Sequence, residues 1–139
     1  MKMVYILIAV VLGAGLAYFA VLYSASELGG EVVVLHRSSS DGSVRRVRIW
    51  IVEDGEQTWV EHGPPDADWI SMLATTPVIT LERYGEPNQY HAAADPGSHA
   101  HYHALRAAKY GIADRIVEFA TGDVEECAGI PVRIEAVRP

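Results

Sequence analysis

Cysteine is nearly absent from this chain: Cys127 is the only one among 139 residues. An intrachain disulfide is therefore excluded, and so is a zinc site built on several cysteines. The shortage says little about compartment, because many extracytoplasmic domains also lack disulfides. Positive charge is in deficit as well: 11 Lys and Arg stand against 18 Asp and Glu, a formal net charge of −7. Lys2 and Glu27 cancel, so the body from Leu28 onward carries all of it. That excludes nucleic acid as a partner, since backbone binding needs clustered positive charge. There is no P-loop, no GxGxxG and no Ser–His–Asp order, and no internal repeat or low-complexity run. The nucleotide-binding and hydrolase classes that depend on those motifs drop out with them.

Charge of either sign is missing from Met3 to Tyr23, the run MVYILIAVVLGAGLAYFAVLY. At ~1.5 Å rise per residue this run spans about 30 Å, the thickness of a bilayer's hydrocarbon core. A single transmembrane anchor is expected over residues 3–23, with Tyr18 and Tyr23 at the headgroup level. Ser24-Ala25-Ser26 offers the alternative of a cleaved signal peptide. The apolar core, however, exceeds the roughly 7–15 residues usual for one. Gly13 and Gly15 are not in GxxxG spacing, so they predict no helix dimer. Lys2 and the amino terminus precede the run and only Arg37 follows closely. This favours the N-terminus inside by too small a margin to assign a side of the membrane.

Residues 24–30 read as a linker and residues 31–139 as one domain. Glu31–Arg37 is a strand by its β-branched run, and Asp41-Gly42 turns the loop that follows. From Arg45 to Glu53, Val47, Ile49 and Ile51 alternate with Arg46, Arg48 and Trp50, the period of a half-buried strand. Asp54-Gly55 makes a hairpin into a strand over Gln57–His62. A helix capped by Asp66 or Asp68 buries Trp69, Met72 and Leu73, and Pro77 ends it. Strands are expected over Val78–Tyr84, Asn88–Ala93 and Pro131–Val137. Before the last of them come two helices, one opened by Asp95-Pro96 and closed by Gly111, the other over Ile112–Ala120. The expected fold is mainly β (α+β). It is a small antiparallel barrel of about six strands with three short helices, preceded by one transmembrane helix.

The segment LHRSSSDGSVRRVRIWIVEDGEQTWVEHG, followed by DADWISMLATTPVITLERYGE, resembles the deazaflavin-dependent nitroreductase and quinone reductase family. That family belongs to the flavin-binding split β-barrels, which include the pyridoxamine-phosphate-oxidase-like proteins. KYGIADRIVEF and PVRIEAV are similar to its closing elements, so the resemblance covers roughly Val32 to Val137. Order and spacing carry it, since no single motif is diagnostic. It implies a split barrel, a bound deazaflavin (coenzyme F-420) or FMN, and reduction of a lipophilic acceptor such as a quinone or nitro compound. It also implies a cofactor phosphate on the loop and strand start formed by Arg37, Ser38, Ser39, Ser40, Arg45 and Arg46. Arginine forks and serine hydroxyls suit such an anion. Trp50, on the strand face of Arg46 and Arg48, is the aromatic placed to line the pocket, whereas Trp69 reads as core. The family's KYG segment lies near the substrate, which makes Tyr110 the implied proton donor. Split barrels that dimerise use the sheet face and the tryptophan-bearing strands, so a homodimer enters as a candidate assembly.

The chain also departs from the pattern. The family loop reads Gly-Arg/Lys-x-Ser-Gly; here it is Arg37-Ser38-Ser39-Ser40-Asp41-Gly42, with Asp41 where the phosphate should approach. The alternative reading is thus a non-enzymatic, membrane-anchored barrel that has lost the cofactor and binds a ligand or partner. His99, His101 and His103 lie on the helix after Asp95-Pro96. His99 and His103 have the i, i+4 spacing of two metal ligands, and His91 is a conceivable third. With no carboxylate in the motif they are not read as a metal site. As groups that titrate near neutrality they suit proton transfer equally well. Cys127 follows Glu125-Glu126, whose charge would raise a thiol pKa, so it is not read as a nucleophile.

Overall fold

The computed structural model describes residues 2–28, 30–61, 63–122, 124–125 and 127–137. His62, expected to end the third strand, lies outside them, as do Gly29 of the linker and Glu126 of the acidic pair. In chain order the elements are α1 (Lys2–Leu28), β1 (Val32–Ser38), β2 (Val44–Asp54), β3 (Gln57–Glu61), α2 (Asp68–Met72), β4 (Val78–Arg83) and β5 (Glu86–Ala94). A 3₁₀ turn (Pro96–Ser98), α3 (His99–Tyr110), α4 (Ile112–Thr121) and β6 (Pro131–Ala136) complete it. Six antiparallel strands close into a barrel in the order β1-β2-β3-β6-β5-β4. The small antiparallel α+β barrel expected from the alternation of the strands is observed, and it is consistent with the split barrel that the resemblance implies.

Period-2 patterning fills the barrel. Val33, Leu35, Ile51, Leu81, Val132 and Ile134 point inward and are essentially inaccessible to water. Trp69, Ile70 and Leu73 of α2 join this core. The turns follow their residues: Gly55 (φ 59°) opens the β2–β3 hairpin. Tyr84 (φ 55°) and Gly85 (φ 84°) both take the left-handed conformation between the paired Arg83 and Glu86, as a two-residue primed turn requires.

A second core lies outside the barrel. Val52 and Trp59 sit on the outer face of β2 and β3, yet both are buried, because Tyr102 and Tyr110 of α3 and Ala113 of α4 cover them. The alternation of β2 foretold the inner face. It did not foretell that the outer face dries out where β2 meets α3. Arg106 of α3, hydrogen-bonded to Asp114 at 2.5 Å and to Glu118 at 3.1 Å, ties α3 to α4.

Three local readings are corrected. Asp95 does not cap a helix with its side chain: the carboxylate accepts hydrogen bonds from Trp59 Nε1 (3.0 Å) and Ser98 Oγ (2.8 Å), and the α-helix begins only at His99. Asp68 likewise does not cap α2; it is the first helical residue and bonds Ser40 instead. The helix α1 continues to Leu28, through most of the stretch expected to be linker. There Ala25 is buried in the outer core and Glu27 pairs with Arg48 of β2. The stretch Lys2–Ala25, 24 residues, is long and apolar enough to cross a membrane.

Gly30, just before β1, is the tightest approach in the fold. A Cβ built there would lie 2.0 Å from Cδ1 and 2.1 Å from Cε1 of Tyr110. The ring has little room to yield, since its face stacks on Trp50 and its hydroxyl is held by Glu31 and Ile51. Gly30→Ala is expected to destabilise the domain by about 1–3 kcal/mol, as overpacking does. Thermal unfolding of the detergent-solubilised chain checks this, and an unchanged midpoint would contradict the packing.

Candidate functional site

The loop between β1 and β2 is where the arginines and serines converge. It is closed on itself: Ser39 N–H donates to Ser43 O, and Gly42 N–H to Ser39 O, both at 2.9 Å. Several further donors are turned to the protein's own carboxylates. Ser43 N–H donates to Asp41 at 2.8 Å, and the N–H and hydroxyl of Ser40 donate to Asp68 at 2.8 and 2.9 Å. The hydrogen bonds from Ser43 hold the Asp41 carboxyl below its usual range. Arg46 forks onto both oxygens of Glu82, at 2.9 and 2.6 Å, and His36 contacts the same carboxylate at 2.8 Å. His36 and Arg46 together hold Glu82 below the ordinary carboxyl range. Arg45 is exposed, and its β1 partner in the ladder is Arg37.

The donor set thus suits a phosphate in kind, but as folded its main donors already hold anions. The space beside Ser38, bounded by His36, Trp69 and Met72, is about 20 Å³. That is room for about one water, not for a flavin ring. Cofactor binding at this loop requires Asp68 to let go of Ser40. These are exposed bonds, so each costs only about 0.5–1.5 kcal/mol to exchange. A larger groove of about 730 Å³ over β3, β5 and β6 carries Glu56 and Glu135, the wrong charge for a phosphate.

Tyr110 and Trp50 come together elsewhere. Their rings stack with centroids 4.3 Å apart and planes 9° from parallel. The β1–β2 ladder ends at Val32↔Trp50, so the next pair would be Glu31 with Ile51. The Tyr110 hydroxyl stands in that place. It accepts from Ile51 N–H at 3.1 Å, and the carbonyls of Glu31 and Ile51, each 2.8 Å away, compete for its single proton. Burial pushes this phenol up to about 12. Lys109 donates to the Ile51 carbonyl (2.8 Å) and to Glu31 (2.9 Å). Arg83 grips Glu31 through two nitrogens, at 2.5 and 3.1 Å, and Glu53 at 2.8 Å. Burial raises the Glu31 carboxyl, but Arg83 and Lys109 outweigh it and bring it down to about 2.

Above this junction an apolar cleft of about 580 Å³ opens between α1 and α4. Val21 and Ala25 form one wall, and Tyr110, Ile112, Ala113 and Ile116 the other. A second apolar space of about 330 Å³ involves Tyr18, Leu22, Arg115 and Phe119. Ile112, Ile116 and Phe119 recur at i, i+4 and i+7 on α4, and Ile112 and Phe119 are 75% and 89% exposed. Sequence reasoning missed this cleft; the apolar i, i+4, i+7 stripe in IADRIVEF was the signal that a second apolar surface existed beside the N-terminal apolar helix.

The six-stranded barrel with its helical pair defines the class of protein: a split β-barrel. Two solved structures, the first two that follow, share this fold. The heme storage protein HutZ of Vibrio cholerae aligns with a TM-score of 0.52 at 13% identity, over 78% of this chain and 83% of that one. A conserved hypothetical protein from Mycobacterium tuberculosis aligns with a TM-score of 0.52 at 14% identity, over 78% and 74%. A protein named as an F-420 reductase aligns at 0.47 with 10% identity, over 78% and 87%. No protein-family model matches the chain, and no curated protein matches it in sequence. At these identities the likeness shows the fold and leaves activity to the site.

Two outcomes follow for the Tyr110 junction. Tyr110→Phe leaves Ile51 N–H and the Glu31 carbonyl without the hydroxyl and is expected to cost about 1–3 kcal/mol in denaturant unfolding. Because Glu31 titrates at about 2 when folded, against an ordinary 4.5, its contribution is complete above about 4.5 and is lost as pH falls toward about 2. The melting temperature should therefore drop more steeply across that window in the native protein than in Glu31→Gln.

Proposed function

We propose that this protein is a membrane-anchored split-barrel oxidoreductase that reduces a lipophilic acceptor, a quinone or nitro compound. The observation that carries the reading is the apolar cleft at the foot of α1, where an acceptor dissolved in the bilayer would arrive without crossing water. The residues that resemble the deazaflavin-dependent reductases supply the redox half of the reading. Residues 3–23 are the membrane span. A retained anchor is favoured over a cleaved signal because Ala25 is packed in the outer core and Glu27 is paired with Arg48. Cleavage after Ser26 would strip α1 from α4. The exposed stripe Ile112–Phe119 then rests on the lipid surface beside the anchor.

A flavin or deazaflavin, when bound, would supply the hydride. This chain's own part is to hold its phosphate with Arg45 and the hydroxyls of Ser38, Ser39 and Ser40 and to admit the acceptor at the cleft. Loop and cleft stand at opposite ends of β1, about 20 Å apart, so the cofactor's ring must extend along the strand to meet the acceptor. Arg37 and Arg46 complete the phosphate side once Glu82 shares Arg46. Tyr110 lines one wall of the cleft, backed by the stacked ring of Trp50. Tyr110 shapes that wall with its ring; its hydroxyl, buried and pushed up to about 12, is poorly placed to give up a proton.

The closed loop favours a second reading, a non-enzymatic, membrane-anchored barrel that binds a lipophilic ligand or a second copy of itself. Titration of the full chain in detergent with FMN and with coenzyme F-420, followed by fluorescence, separates the two. On the oxidoreductase reading Asp68→Ala releases Ser40, removes a negative charge and tightens cofactor binding about tenfold, the equivalent of one to two exposed hydrogen bonds. Arg45→Ala weakens it. If neither the native chain nor Asp68→Ala binds either cofactor at tens of micromolar, the binding-module reading takes its place.

A further inference from the structure

We infer a transition-metal site, unrelated to the cofactor loop, at His99, His103 and Cys127. One ligand atom from each of these residues lies within 4.8 Å of the others. In a tetrahedral zinc site, with metal–nitrogen and metal–sulfur distances of about 2.0–2.3 Å, neighbouring ligand atoms stand about 3.3–3.8 Å apart. Closing the set therefore takes a shift of about 1 Å. Most of that shift can come from Cys127, which sits in the irregular segment between α4 and β6.

Several features of the surroundings fit an ion. His103 is 4% exposed and His99 and Cys127 are half-buried, so the site is anchored in the interior and open to solvent on one side. His99 Nε2 is buried and has no hydrogen-bond partner among the described residues. The two imidazoles project from successive turns of α3, with ring centroids 4.6 Å apart. Glu118 Oε1, which accepts from Arg106, lies 4.0 Å from Nδ1 of His103, beyond a hydrogen bond but close enough for its charge to favour a cation. His101 takes no part: it turns to Asp54 at 3.1 Å and lies edge-on to Trp59. His91, exposed on β5, is also outside the cluster.

Two imidazoles and one thiolate make a borderline-soft donor set that selects Zn²⁺ or a similar divalent ion over Mg²⁺ or Ca²⁺. Three protein ligands leave the fourth tetrahedral position to water or an exogenous group. Binding releases the Cys127 thiol proton and clips the segment before β6 onto the start of α3.

The test uses tag-free full-length protein in detergent, stripped with chelator and titrated with Co²⁺. The expected result is one Co²⁺ per chain, with a thiolate-to-cobalt charge-transfer band in the near ultraviolet and visible d–d bands of tetrahedral intensity. Zn²⁺ displaces the cobalt and raises the melting temperature. Cys127→Ser abolishes the charge-transfer band, His99→Ala weakens binding at least tenfold, and His91→Ala changes neither. Far-ultraviolet circular dichroism of each variant confirms that it is folded, and His99→Gln provides a milder replacement if His99→Ala is not. Absence of the charge-transfer band at equimolar Co²⁺, or a band that survives Cys127→Ser, overturns the site.

Discussion

The fold hangs on one side-chain hydroxyl standing in for a rung of the sheet. Where β1 and β2 part, the ladder would next join Glu31 to Ile51, and the Tyr110 phenol takes that place. A buried strand edge with open N–H and C=O groups costs free energy. A phenol can both accept and donate, so it closes the edge and also anchors the C-terminal end of α3. Around it everything is adapted: Gly30 has no side chain to obstruct the ring, and Trp50 stacks on its face. Lys109 meets the second lone pair of the Ile51 carbonyl, and Arg83 neutralises Glu31. Glu31 and Ile51 each meet several partners at this point, so substitutions here should couple rather than add.

That junction also joins the domain to its apolar helix. Ala25, Tyr110 and Ala113 share one core, and Glu27 reaches Arg48. The apolar helix is thus packed on the barrel rather than flexibly tethered to it. Its packing creates the cleft that the proposed acceptor would enter. The structural role of Tyr110 and the shape of the cleft are consequently one arrangement, which is why its ring lines the wall while its hydroxyl is occupied elsewhere.

Charge runs through the rest of the domain as local pairing. The acidic excess does not gather into one field; Asp41, Asp68 and Glu82 each meet donors in or near the β1–β2 loop. A run of arginines in a sequence suggests an anion grip. In three dimensions Ser40 and Arg46, two members of that grip, already close on carboxylates 28 and 36 positions away. Whether the loop serves a cofactor therefore turns on an exchange of anions.

How much was legible beforehand follows from the range of the forces. Strand alternation, the Asp54-Gly55 turn, the apolar run and the closing Gly111 are written in neighbouring residues, because backbone sterics and burial periodicity act locally. They determined the order of elements and the barrel. The i, i+4 pair His99 and His103 was legible for the same reason. Only the tertiary structure could bring Cys127 to that pair, set Asp68 on Ser40, or put the Tyr110 hydroxyl between Glu31 and Ile51. These are contacts between residues far apart in sequence, and their geometry is set by how the helices pack on the closed barrel, which no local pattern encodes.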